Sequence, residues 1–146
     1  MRNEDTPCVR TDGSTGTIER PNAGTHYLMC IWQLAENDNR GIVVGTGSTE
    51  PTRNDYNLES KIPHGTGLGQ LYYYECNVEF GNDYVQAYRA FENQSGEDIT
   101  IREVGLIAQY YDVDAAAYKY ALIARSLFTL TIPAGGSATL YYKISG

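Results

Sequence analysis

The sequence predicts an all-β fold: a single β-sandwich with jelly-roll or Greek-key-like connections over residues 25–146, preceded by an extended N-terminal arm over residues 1–24. Three observations carry this. The 146 residues include 13 Tyr and 15 Gly, and Tyr favours pleated, half-buried surfaces while Gly favours tight turns. Clusters of Gly, Asn, Ser and Pro recur roughly every 10 residues, the rhythm of short strands in a sandwich. Leu71–Phe80 alternates in polarity as a half-buried strand does. Hydrophobic residues at 42% and charged residues at 20% describe a globular chain of one domain's length. Such a chain buries a core without disulfide or metal staples.

From the N-terminus, Met1–Gly24 is polar, with Val9 and Ile18 as isolated apolar β-branched residues. It reads as an arm that gains order by pairing along a neighbour's sheet edge. His26–Ala35 (HYLMCIWQLA) is nearly continuously apolar, and its length and Tyr, Ile and Trp content favour a doubly covered strand over a short buried helix. Glu36–Arg40 makes a turn into a short strand at Gly41–Gly45. Further on, Pro51 and Asn54-Asp55 favour another turn, Tyr56 and Leu58 share one side of an extended piece, and Glu59 can accept backbone N–H bonds. Asp55, Tyr56, Leu58 and Glu59 therefore read as a group that pins a long connection onto the domain. In Leu71–Phe80, Tyr72, Tyr74, Cys76, Val78 and Phe80 form the apolar face, with Leu71, Tyr73, Glu75, Asn77 and Glu79 opposite.

Gly81-Asn82-Asp83 turns the chain and Tyr84–Phe91 returns, predicting a hairpin. Asn93–Asp98 is the next turn. Ile99 and Ile101 then share a face, but Val104, Leu106 and Ala108 carry the apolar side onward, so a bulge near Arg102–Glu103 is expected to absorb the slip. Tyr110–Tyr120 (YYDVDAAAYKY) contains alanines that permit a helical turn, but its tyrosines and Asp112/Asp114 favour a long surface loop. Leu122–Phe128 and Leu130–Ile132 form a strand or strand pair with Phe128, Leu130 and Ile132 on one face. Pro133–Ser137 is a turn, and Leu140, Tyr142 and Ile144 alternate inward along the last strand.

Several chemistries are disfavoured. The net charge of −7, with 11 scattered Lys and Arg, argues against a nucleic-acid surface, which needs clustered cations. No run approaches the ~18 apolar residues of a membrane helix, and Met1–Gly13 lacks the apolar core of a secretory signal. Cys8, Cys30 and Cys76 are odd in number and lack paired spacing, so they read as buried or incidental thiols rather than a disulfide framework or zinc site. Gly45-Thr-Gly47-Ser-Thr-Glu50 has Glu50 where a dinucleotide loop needs its third glycine. Glu36–Gly41 opens like a calcium loop, but Arg40 stands where an oxygen ligand is required. Asp112 and Asp114 could converge on a cation, though a solvated loop is the simpler reading. His26 and His64 lie in no nucleophile motif, and Glu59, Glu75, Glu79 and Glu103 read as outward-facing strand residues. No enzyme, cofactor or metal is predicted.

Exposed aromatic rings anchor protein interfaces or stack on sugars. Tyr73, which faces away from the predicted apolar side, and Tyr110, Tyr111, Tyr118 and Tyr120 in the predicted loop are the candidate contact residues.

Three blocks, Gly41–Ile62, Ala90–Ala108 and Ala121–Ile144, taken in order, carry a resemblance. A Val-Gly-Thr-Gly element with downstream Asp-Tyr-x-Leu-Glu-Ser, an Asn-Gln-Ser-Gly turn, a Glu-Val-Gly-Leu strand and a closing hairpin resemble the small structural proteins of tailed bacteriophages. The resemblance spans roughly residues 41–144. It implies a virion protein assembled in the host cytoplasm, most simply a capsid decoration or cement protein bound to capsid or other virion proteins. It further implies a homo-oligomer, with a trimer as one form. A tail, baseplate or fibre component recognising a host-surface glycan is the alternative.

Overall fold

The computed structural model of the chain describes residues 6–19 and 30–145. It contains eight strands: β1 (Thr6–Val9), β2 (Thr15–Ile18), β3 (Gly41–Gly45), β4 (Tyr72–Phe80), β5 (Tyr84–Glu92), β6 (Ile99–Asp112), β7 (Ala117–Ile132) and β8 (Ser137–Ser145). They form two antiparallel sheets, and no helix occurs among the described residues. The fold is all-β, as the alternation and turn spacing predict.

The larger sheet is organised around β6. On one side β6 pairs with β7 along its whole length, from Ile99↔Ile132 to Asp112↔Ala117. The other side is completed piecewise: by β3 between Gly41↔Ile107 and Gly45↔Glu103, by an isolated bridge from Cys30 to Gln109, and by β2 at Ile18↔Asp112. The smaller sheet runs β4-β5-β8. Its β8 lies beside β5 although the β6–β7 hairpin, in the other sheet, intervenes in the chain. Side chains of both sheets share one core: Ile42, Val44, Ile101 and Leu106 from one, Tyr73, Cys76, Ala87 and Phe91 from the other.

The turns expected at Gly81–Asp83, Asn93–Asp98 and Pro133–Ser137 separate strands as predicted, and Gly135 adopts φ +78° in the last of them. The bulge expected near Arg102–Glu103 is present as a register shift between Ile101 and Glu103. Leu140 and Tyr142 pack against the core, while Ile144 at the strand's far end is 37% exposed.

Four expectations need correction. The described part of the predicted arm is a hairpin: β1 and β2 pair from Thr6↔Ile18 to Val9↔Thr15, and Arg10 Nε donates to Asp112 at 2.9 Å. The remainder of that arm, and His26–Met29 of the predicted apolar strand, lie outside the described residues. The described part of that apolar run makes only bridges, Cys30 to Gln109 and Gln33 to Cys76, one to each sheet.

Tyr110–Tyr120 is no loop. It is the end of β6, a four-residue turn and the start of β7. Asp112 Oδ1 closes this turn by accepting the N–H groups of Asp114 (3.0 Å) and Ala115 (3.1 Å), the local carboxylate-to-backbone bonding that makes Asp a turn residue. Leu122–Ile132, expected as a strand or a strand pair, is the single strand of those alternatives, within β7.

The face assignment in β4 holds for Cys76 and Val78, fails to bury Phe80, which is 79% exposed at the strand's end, and is reversed in the first half of the strand. A register shift between Tyr73 and Cys76 inserts an extra residue, so Tyr73 and Cys76 both point inward and are fully buried while Tyr74 is 39% exposed. Tyr73 gains an edge contact with Phe91 at 4.8 Å between ring centroids, and its hydroxyl donates to Ile62 O at 2.6 Å.

The largest fully buried side chain among the described residues is Arg89. Its guanidinium meets only carbonyl oxygens: Tyr74 (2.6 Å), Arg40 (3.0 Å), Ile42 (3.2 Å), Leu34 (3.3 Å) and Asn37 (2.5 Å). Its charge also lies 4.8 Å from the Tyr73 ring centroid. Burial, the largest influence on it, lowers its pKa. Arg89 thereby fastens the connection at residues 34–42 to β4 and β5, satisfying above all the buried Ile42 carbonyl. Gly41 permits the close approach. It has φ +81°, and a Cβ there would lie 2.8 Å from Cys76 Sγ and from Ile31 O, a conformation and a contact that favour glycine.

Candidate functional site

The structure separates the candidate tyrosines. Tyr73 and Tyr110 are fully buried and belong to the domain's own packing rather than to a contact surface. The Tyr110 hydroxyl donates to Asp112 Oδ2 at 2.7 Å and lies 3.2 Å from Cys8 Sγ. Burial is the leading reason that both phenols are held well above the ordinary tyrosine pKa. Tyr120 is half-buried and accepts from Asn39 Nδ2 at 3.2 Å. Tyr111 and Tyr118 meet edge-to-face at 5.4 Å near the β6–β7 tip, and Tyr118 is 41% exposed.

A different set of tyrosines shares a surface. The register of β4-β5-β8 places Tyr72, Tyr84, Tyr88 and Tyr141 on the face turned away from the core, and the bulge in β4 adds Tyr74. Tyr88 and Tyr141 are directly paired across the strands, their rings 5.8 Å apart and inclined by 27°. Tyr72 and Tyr74 lie 4.9 Å apart. Lys143 Nζ sits 4.3 Å from the Tyr84 ring centroid. The hydroxyls of Tyr72 and Tyr74 donate to Glu36 (2.7 Å) and Glu92 (2.6 Å), bonds that are the first cause of a raised pKa in each phenol. These side chains are consequently held in place while their rings stay at the surface; Tyr141 is 64% exposed. The sequence contains this signal as the alternation of Tyr84, Gln86 and Tyr88 and the adjacent Tyr141-Tyr142, but the bulge that swaps Tyr73 for Tyr74 has no obvious mark.

The connection at residues 46–60 is anchored from beneath by Glu103. This carboxylate is fully buried, contrary to its expected outward orientation. It accepts from the backbone N–H groups of Gly47 (2.5 Å), Glu59 (2.8 Å) and Ser60 (3.0 Å) and from Arg125 Nε (3.0 Å). Alternation misplaces Glu103 because β6 is covered on both faces at this point. Arg125 reaches onward from Nη1 to Asp55 at 3.2 Å. Glu59 accepts from Ser48 N at 3.1 Å and from the Thr49 hydroxyl, Leu58 is buried, and Tyr56 is 46% exposed.

Asp112 and Asp114 do not converge. Asp112 is buried among Arg10, Tyr110 and the turn N–H groups, while Asp114 accepts from Thr17 Oγ1 at 2.6 Å. Burial acts most strongly on Asp112 and would raise its pKa, but the Arg10, Tyr110 and backbone donors outweigh it and hold the carboxyl well below the usual range. His64 is a structural residue whose ring Nδ1 accepts from the Tyr73 backbone N–H at 3.1 Å while the His64 backbone N–H donates to Asp38 Oδ2 at 2.7 Å. Cys8, Cys30 and Cys76 are all free thiols. Among the described residues, no group of three or more His, Cys, Asp or Glu side chains is arranged to hold a metal ion.

No protein-family model, curated protein or solved structure matches this chain.

Proposed function

We propose that this chain is a structural protein of a tailed-bacteriophage virion, a capsid decoration protein that binds neighbouring subunits through the outer face of the β4-β5-β8 sheet. The observation that carries the reading is the tyrosine surface made by Tyr72, Tyr74, Tyr84, Tyr88 and Tyr141. Tyrosine supplies a large apolar ring with a polar tip and loses little conformational freedom on contact, which is why it is enriched where proteins meet. Here cross-strand stacking and hydrogen bonds to Glu36 and Glu92 have already restricted the rings, so docking orders them little further. The acidic balance, −7, keeps free copies soluble before they assemble. The resemblance over residues 41–144 supplies the phage context.

The test is co-assembly. Wild-type chain and the double variant Tyr74→Ala/Tyr141→Ala are mixed with capsids lacking it, and bound protein is measured after sedimentation. Binding by the wild type and its loss in the folded variant support the reading; equal binding by both would overturn the assigned face. A tail or fibre placement is the second reading, favoured by the exposed Tyr118 at the β6–β7 tip, and it predicts wild-type binding to tails rather than to shells.

A further inference from the structure

A cleft of about 300 Å³ opens between the connection at residues 46–60 and β7. Among the residues lining it are Thr49, Asn54, Asp55, Tyr56, Glu59 and Arg125. We propose that this cleft binds a neutral saccharide residue.

Its size is at the lower end of small-ligand pockets, roughly 300–1,000 Å³. Its chemistry narrows the ligand. Tyr56 brings an aromatic ring that is 46% exposed, the kind of apolar plane on which the C–H face of a sugar rests. Around it stand groups of both hydrogen-bonding senses: the exposed Asn54 offers an amide, Asp55 and Glu59 offer carboxylate oxygens, and Arg125 offers N–H donors. The Arg125 side chain is 3% exposed, and its Nη2 has no hydrogen-bond partner among the described residues. A buried guanidinium nitrogen without a partner favours an oxygen acceptor that reaches it through a small shift of the Arg125 side chain.

Charge then disfavours anions and metal cations. Glu103 and Asp55 both pair with Arg125, and Glu59 stands beside them. Three carboxylates against one guanidinium, in a chain of net charge −7, repel an anion. A metal cation meets the opposite difficulty: the Arg125 guanidinium already sits 3.2 Å from Asp55, and among the described residues no group of three or more His, Cys, Asp or Glu is arranged to hold a metal. A sugar hydroxyl both donates and accepts without bringing charge, which matches the donors and acceptors present. This inference is independent of where the chain sits in a particle, because the cleft is built within one chain.

The experiment uses the isotope-labelled full chain, with glucose, galactose, mannose and N-acetylglucosamine titrated separately to millimolar concentration and followed by amide and guanidinium NMR. At least one sugar is expected to shift the signals of Asn54, Tyr56 and the Arg125 Nε–H. The affinity should fall at least tenfold in Tyr56→Ala and in Asn54→Ala, whose exposed side chains leave the fold intact. The proposal is overturned if none of the four sugars shifts these signals, or if both variants bind as tightly as the wild type. It is equally overturned if glucuronate or a lysine-rich peptide shifts them in preference to the neutral sugars.

Discussion

Replacing Arg89 by Met tests how the core is held together. The substitution keeps much of the side chain's apolar length but removes every donor to the carbonyls of Leu34, Asn37, Arg40, Ile42 and Tyr74. An orphaned buried acceptor costs about 1–3 kcal/mol. Leu34 is 58% exposed and its neighbours at 37 and 40 are half-exposed, so water can replace the guanidinium at those three carbonyls. Tyr74 is itself 39% exposed, so its carbonyl can be rehydrated in the same way, whereas Ile42 is fully buried and its carbonyl sets a loss of about 1–3 kcal/mol. Removing a desolvated cation returns part of that, and the lowered pKa of Arg89 has the same physical origin. The net expectation is a loss of about 1–2 kcal/mol. For a chain of this size that corresponds to a fall in Tm of about 3–6 °C. Urea unfolding at constant m-value measures it, and hydrogen exchange of residues 34–42 should accelerate in parallel. A loss below about 1 kcal/mol, with exchange of that connection unchanged, would refute the assignment of Arg89 as its fastening point.

Other perturbations follow from the same structure. Gly47→Ala drives a methyl group into Glu103 Oε2 and the Glu59 Cβ; unfolding free energy should fall by about 1–3 kcal/mol, and an unchanged Tm would count against the Glu103 anchor. Because the folded pKa of Asp112 lies below its unfolded value, its contribution is fully present above the ordinary carboxylate pKa of about 3.9 and is lost as pH falls toward the depressed folded value. Asp112→Asn should thus lower stability at neutral pH and flatten the stability–pH curve below about pH 4, which unfolding at several pH values reads directly. Tyr73→Phe removes the hydroxyl that bonds Ile62 O and lies 3.3 Å from Val44 N, for an expected loss of about 1–2 kcal/mol. Tyr141→Phe on the open face should change stability by less than about 0.5 kcal/mol.

Much of the strand order was readable because the turns announce themselves. Gly81-Asn82-Asp83 and Pro133–Ser137 are strong local signals, and the switch of apolar face from Ile101 to Val104 exposed the bulge between them. The misreadings share a cause. Tyrosine serves equally inside and outside a sheet, so Tyr73 and Tyr74 could be exchanged by one bulge without breaking any visible pattern. Likewise, Tyr110–Tyr120 looked like a loop because its tyrosines and alanines lack the contrast that marks an edge strand. Arg89 and Glu103 were hidden for another reason: a charged residue in a strand normally marks the solvent side, and the backbone groups that neutralise these two come from distant connections at residues 34–42 and 47–60. No alternation within β5 or β6 encodes those partners.

The proposal that this chain binds other virion subunits is tested most directly by its copy number per particle. Purified virions would be analysed by quantitative mass spectrometry, with cryo-microscopy to place each copy. The account predicts many copies distributed over the shell, with the tyrosine face of β4-β5-β8 against a neighbouring subunit. A chain absent from intact particles, or present with that face open to solvent, would contradict it.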